Sequence, residues 1–121
     1  MATILVVEDD DANQELVTRF LRRDGYRVLL AVDGLAGVKA ALEHVPDLIL
    51  MDLGLPVLDG WEAARRIKSS PETAHIPIIA LTAHTLSDDV YRARDAGCDA
   101  YETKPVAYKR LMKKIGTFVK H

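Results

Sequence analysis

Residues 47–60 read DLILMDLGLPVLDG, and the apolar run Leu48 to Met51, followed at once by Asp52, decides the fold. A run of Leu, Ile and Met with no polar residue at alternate places suits a strand covered on both faces, because a strand with one wet face alternates. Two further runs share this character, Ile4 to Val7 upstream and Ile78 to Leu81 downstream. Arg27 to Ala31, after the Asp24-Gly25 break, and Ala100 to Thr103 are weaker strands.

Between the runs the period changes to that of a helix. Leu16, Val17, Phe20 and Leu21 form a stripe ended by Asp24-Gly25, where glycine tolerates a left-handed cap. Val38, Ala41, Leu42 and Val45 do the same before Pro46. A third helix starts near Gly60, carries Trp61, Ala64 and Ile67, and stops before Pro71; Asp59-Gly60 reads as turn chemistry. The fourth runs from Ser87, a good N-cap, to Ala96-Gly97. The fifth carries Leu111, Met112, Ile115 and Val119, with Lys109, Arg110, Lys113, Lys114 and Lys120 read as a solvated cationic face. Strands joined by right-handed helical crossovers lie parallel, so the chain is an α/β, doubly wound, five-stranded parallel sheet. The expected strand order is 2-1-3-4-5.

Composition sets the boundaries of function. The 121 residues are 49% hydrophobic and 28% charged, with no linker or low-complexity tract, which describes one ordinary domain. Sixteen Lys and Arg against eighteen Asp and Glu give a formal charge of -2, without the basic excess a nucleic-acid binder needs. No apolar stretch has the length of a membrane span, and the run before Glu8 is too short for a signal peptide. The lone cysteine, Cys98, fits a reducing compartment, and the expected location is cytoplasmic. With no base beside it in the sequence pattern, Cys98 reads as a small filler, and Trp61 as packing.

In an open parallel sheet the functional crevice lies at the carboxyl ends of the strands where the order reverses, between strands 1 and 3. Strand 1 ends in Glu8-Asp9-Asp10-Asp11, strand 3 in Asp52, strand 4 in Thr82 and strand 5 in Lys104-Pro105. Because successive side chains diverge, Glu8 and Asp9 are expected to face inward, while Asp11, and Asp10 with it, begins the first helix as a solvated cap. The three inward carboxylates and Lys104 then leave about two uncompensated negative charges, a costly arrangement that one divalent cation cancels. Oxygen ligands with room for water suit Mg²⁺ better than zinc, and His44, His75, His84 and His121 show no metal-ligand spacing. A carboxylate beside Mg²⁺ can attack phosphorus and become an acyl phosphate, with Lys104 and Thr82 left to meet the phosphoryl oxygens.

These residues resemble the receiver domain of bacterial two-component response regulators, CheY-like in fold, through ILVVEDD (Ile4 to Asp10), DLILMDLGLPVLDG (Asp47 to Gly60), IPIIALTAH (Ile76 to His84) and GCDAYETKP (Gly97 to Pro105). The resemblance spans essentially the whole chain. It implies that residues 1–121 are one receiver of the stand-alone type, with no output domain. It further implies that Asp52 accepts a phosphoryl group from a sensor histidine kinase or histidine phosphotransfer protein. Glu8, Asp9, Asp52 and the Gly54 backbone carbonyl would hold Mg²⁺, Thr82 and Lys104 would sense the phosphate, and the Lys104-Pro105 peptide would be cis. Tyr101 would be the aromatic switch, entering space vacated by Thr82 beside small Ala83. The surface carrying Tyr91, Tyr101 and Tyr108 would then be read by a downstream protein target, with no nucleic acid or membrane involved. Glu8 stands where the family often has Asp, and Gly54 where many relatives have a polar side chain.

Rival readings fit less well. A flavin-binding relative needs a phosphate-accepting loop after strand 1, where four acids would repel it. An aspartate-nucleophile phosphohydrolase wants a second acid two places after its nucleophile, and that place is Gly54. A receiver-like docking module not switched by phosphate is the remaining alternative, opposed by the intact acidic set, Thr82 and Lys104.

Overall fold

The structure, a computed structural model, describes residues 1–82, 91, 92 and 94–119. Five parallel strands, β1 (Thr3–Val7), β2 (Arg27–Ala31), β3 (Leu48–Asp52), β4 (Ile78–Thr82) and β5 (Ala100–Thr103), form one sheet in the order β2-β1-β3-β4-β5. This is the order expected from the sequence. The helices α1 (Asp11–Arg23), α2 (Gly34–His44) and α3 (Gly60–Ser69) and the C-terminal helix (Tyr108–Phe118) cover its faces. The expected fourth helix falls largely outside the described residues, as do its Ser87 cap and Ala83; of it, Tyr91, Arg92, Arg94 and Asp95 are described and helical.

The three unbroken apolar runs became the three central strands. β3 and β4 are buried at every position, and β1 at all but its first, because helices pack on both sides. Alternate residues of the central strands feed two half-cores. Leu5, Val7, Ile49, Met51 and Ile78 join Ala41, Ala63, Ala64 and Ile67 of α2 and α3. Ile4, Val6, Leu48, Leu50, Ile79 and Leu81 join Val17 and Leu21 of α1 and Leu111 and Ile115 of the C-terminal helix. A slip of one residue in any central strand would exchange these sets, so the packing fixes the register.

Several helix details differ from expectation. Asp10, not Asp11, is the N-cap of α1, its carboxylate accepting the Asn13 N–H at 2.9 Å. Asp59 caps α3 in the same way through the Glu62 N–H, so Asp59-Gly60 is a helix start and more than a turn. Val45 is not part of the α2 stripe: it is the exposed C-cap, left-handed at φ 44°. Leu16 and Leu42, assigned to buried stripes, are exposed. Gly60 permits a close approach, since a Cβ there would lie 2.3 Å from the Asp52 carbonyl. Its absence lets α3 start directly against the end of β3.

Candidate functional site

The register of the sheet assembles the site. Val7 pairs with Met51, so Glu8 and Asp52, each one residue further, stand side by side where β1 and β3 end. Thr82 lies one residue beyond the partner of Asp52 on β4, and Lys104 one beyond the partner of Thr82 on β5. The Lys104 N–H donates to the Thr82 carbonyl at 2.7 Å, and the Lys104-Pro105 peptide is cis.

Lys104 Nζ lies 3.0 Å from Glu8 Oε1 and 3.1 Å from Asp52 Oδ2, one ammonium shared by two carboxylates. The other Asp52 oxygen, Oδ1, accepts the Gly54 N–H at 3.1 Å. Glu8 Oε2 accepts the Asp10 N–H at 3.3 Å. Carboxylate oxygens of Glu8, Asp9 and Asp52 all lie within 4.8 Å of one another. Glu8 and Asp52 are buried and Asp9 is exposed, so the cluster opens to solvent on the Asp9 side. Glu8 and Asp9 thus both reach the cluster, as expected.

The electrostatics follow from this crowding. Burial, and then the neighbouring Asp52, push the Glu8 carboxyl up to about 7, against the partial relief that Lys104 provides. Burial alone would lower Lys104, but its bonds to Glu8 and Asp52 outweigh it and hold the ammonium above its ordinary value. Lys104 is therefore charged, and the carboxylates facing it are short of positive charge. Three oxygen donors with one open side are a fit for a hard divalent cation that keeps some of its water.

Thr82 is buried at the end of β4. Tyr101 is exposed on β5, its ring centroid 5.4 Å from Lys114 Nζ, which also donates to the Tyr101 carbonyl at 2.6 Å. Tyr108 is not on the surface with Tyr91 and Tyr101: its ring stacks on Phe20 of α1, with centroids 4.2 Å apart. Beside the site, a crease of about 500 Å³ is lined by Glu8, Leu16, Lys104, Pro105, Val106 and Tyr108. His44 and His75 are exposed, while His84, Lys120 and His121 lie outside the described residues. Cys98 is half-buried, with its thiol pushed up to about 12 by burial and the Asp99 charge, which leaves it inert as a nucleophile. Trp61 packs as expected, with the Arg92 guanidinium 3.8 Å over its ring.

Sequence reading missed three polar devices. Gln14 Nε2 donates to the Glu8 carbonyl at 2.5 Å. Lys68 Nζ joins the Ile76 carbonyl at 2.6 Å to Asp99 at 2.9 Å, tying α3 to the starts of β4 and β5. Glu102, buried on β5, is held by Arg110 Nε and Lys114 Nζ, each at 2.9 Å, so two of the five cations assigned to a solvated face are engaged inward. Glu102 sits on a strand too weakly patterned to show which way it faces, whereas Arg110 and Lys114 sit one helical turn apart and mark a shared anionic partner.

Residues 4–116 match the response regulator receiver domain. The chain is similar to the polar-differentiation response regulator DivK of Brucella anthropi, with 37% identity over 97% of this chain and 95% of that protein. Among solved structures it resembles the receiver domain of sensor histidine kinase PA1611 from Pseudomonas aeruginosa, which has a magnesium ion coordinated in its active site cleft. That likeness has a TM-score of 0.91 and 40% identity, covering 97% of this chain and 96% of the other. The chemotaxis protein CheY4 of Vibrio cholerae superposes with a TM-score of 0.92 at 26% identity, covering 98% and 99% of the two chains.

Proposed function

The chain belongs to the response regulator receiver family, and from that premise we propose that Asp52 accepts a phosphoryl group from a phosphohistidine donor in a Mg²⁺-dependent reaction. The observation that carries this reading is the position of Asp52: one oxygen on the Gly54 N–H, the other on Lys104, with Glu8 and Asp9 alongside. Glu8, Asp9, Asp52 and the Gly54 carbonyl would hold the metal. Bound Mg²⁺ supplies charge neutralisation for the phosphoryl oxygens.

The residues of the chain do the rest. An Asp52 oxygen forms a bond to phosphorus as the donor's nitrogen–phosphorus bond breaks, and the electron pair of that bond returns to the imidazole. The Gly54 N–H orients the carboxylate before attack. Lys104, already charged, follows the negative charge from the carboxylate to the phosphoryl group, and Thr82 donates to a second phosphoryl oxygen. The product carries about one more negative charge than the carboxylate, so Lys104 is bound more tightly afterwards. Leu16, Pro105 and Val106 give the donor protein, a sensor histidine kinase or a phosphotransfer protein, an apolar rim beside the reacting atoms. Movement of Thr82 toward the phosphate frees space for Tyr101, and a downstream protein reads the face that carries Tyr91 and Tyr101.

Incubation with acetyl phosphate and Mg²⁺, followed by intact mass measurement, tests the reading. The expected product carries one phosphoryl group, is absent when EDTA replaces the metal, and is absent in Asp52→Ala. Labelling that survives Asp52→Ala would move the acceptor elsewhere. No labelling, even from a kinase donor, would leave a docking module without a phosphate switch.

A further inference from the structure

The acidic turn that follows β1 must hold its two carboxylates, Glu8 and Asp9, converged on Asp52 of β3 before any cation arrives. Lys104 tethers Glu8 and Asp52, but Asp9 has no side-chain partner among the described residues. The position of the Asp9 carboxylate therefore depends on the backbone that carries it. That backbone leaves the sheet at Glu8. The Glu8 N–H still donates to the Ala31 carbonyl of β2 at 3.0 Å, but the Glu8 carbonyl lies beyond the β1–β3 pairing, which ends at Val7. A carbonyl on a residue only 2% exposed needs a partner, and Gln14 of α1 supplies it.

We propose that Gln14 is a positioning residue for cation binding: by holding the Glu8 carbonyl it braces the turn 8–10 so that Asp9 stays within reach of Glu8 and Asp52. The proposal rests on the reading of these three acids as metal ligands. The brace closes a small circuit. Gln14 fixes the Glu8 carbonyl, Glu8 Oε2 takes the Asp10 N–H, and the Asp10 carboxylate caps the helix that carries Gln14. The Asp10 carbonyl also accepts the Gln14 N–H at 2.9 Å. Without the side-chain bond, repulsion among the acids can open the turn toward solvent on its exposed Asp9 side.

Gln14→Met keeps the length of the side chain and the helix propensity but removes the donor, and Gln14→Arg restores a donor at the same place. Calorimetric titration with Mg²⁺ alone should show Gln14→Met binding about two- to tenfold more weakly, the equilibrium value of one buried hydrogen bond. In the metal-free protein, amide exchange at Asp10 should quicken by a similar factor in Gln14→Met, relative to the amides of β3, and return toward the original rate in Gln14→Arg. Unchanged Mg²⁺ affinity with a lowered urea midpoint would make Gln14 a structural partner only and overturn the proposal. If the unaltered protein takes up no Mg²⁺, the reading of the acids fails by itself. The brace is then judged by exchange alone, and unchanged exchange at Asp10 overturns it.

Discussion

Glu8 and Glu102 are both buried carboxylates at strand ends, 2% and 3% exposed, and both are held by lysine at 2.9–3.0 Å, yet their surroundings push them in opposite directions. Glu102 faces two cations, Arg110 and Lys114, and a third donor in the Thr103 N–H. Burial would raise its carboxyl, but the Lys114 bond and charge, helped by Thr103 and Arg110, bring it below the usual range. Glu8 shares a single lysine with Asp52, and burial with that second acid lifts it to about 7. A buried carboxylate with surplus positive charge is a fastener between β5 and the C-terminal helix. One with a deficit is a place prepared for charge that arrives from outside, a cation or the ammonium's next partner. The ratio of cations to acids separates the two roles more sharply than burial or distance does.

The comparison breaks most visibly at Lys104. Lys104→Met leaves Glu8 and Asp52 facing each other with no cation, and should cost the metal-free protein roughly 2–4 kcal/mol at pH 8. Urea denaturation with and without Mg²⁺ measures it, and the metal should recover more stability in the variant than in the unaltered protein. Equal recovery in both would mean that Lys104 and the cation do not compensate the same charges. Glu102→Gln should cost less, about 1–2 kcal/mol, because the cations it releases can turn to water: Arg110 is already 60% exposed. It should leave phosphoryl acceptance and Mg²⁺ affinity unchanged. A fall in either would show that the fastener is coupled to the site.

The sheet order and the central site residues were legible because each rests on a local cue. Three apolar runs lack alternation, and each ends in a residue whose chemistry is unusual at that place: Glu8, Asp52 and Thr82. Lys104 was legible through the proline that follows it. Asp10 was mistaken for a follower of Asp11 because four consecutive acids are all competent caps, and only the phase of the helix chooses between them. Gln14 could not be found, since its partner is a backbone carbonyl and carries no side-chain signature. Tyr108 could have been placed correctly: it stands at i-3 from Leu111 and i-7 from Ile115, on the stripe already assigned to the core. Its aromatic character drew it to the surface with Tyr91 and Tyr101 instead.

The smallest expected effect concerns acid. Because the folded protein holds Glu102 below its ordinary value of 4.5, the unfolded chain binds the proton more readily. The fastener's contribution is therefore fully present above pH 4.5 and is lost as pH falls through the lower folded value. Glu8 has the reverse sign, since its folded carboxyl lies above the unfolded one, and it cannot produce a loss of stability toward acid. Unfolding midpoints measured from pH 6 down to pH 3 should decline less steeply in Glu102→Gln than in the unaltered protein, the two curves converging at the acid end. Parallel curves would mean that Arg110 and Lys114 hold Glu102 no more tightly than water does, and the contrast with Glu8 would then reduce to burial.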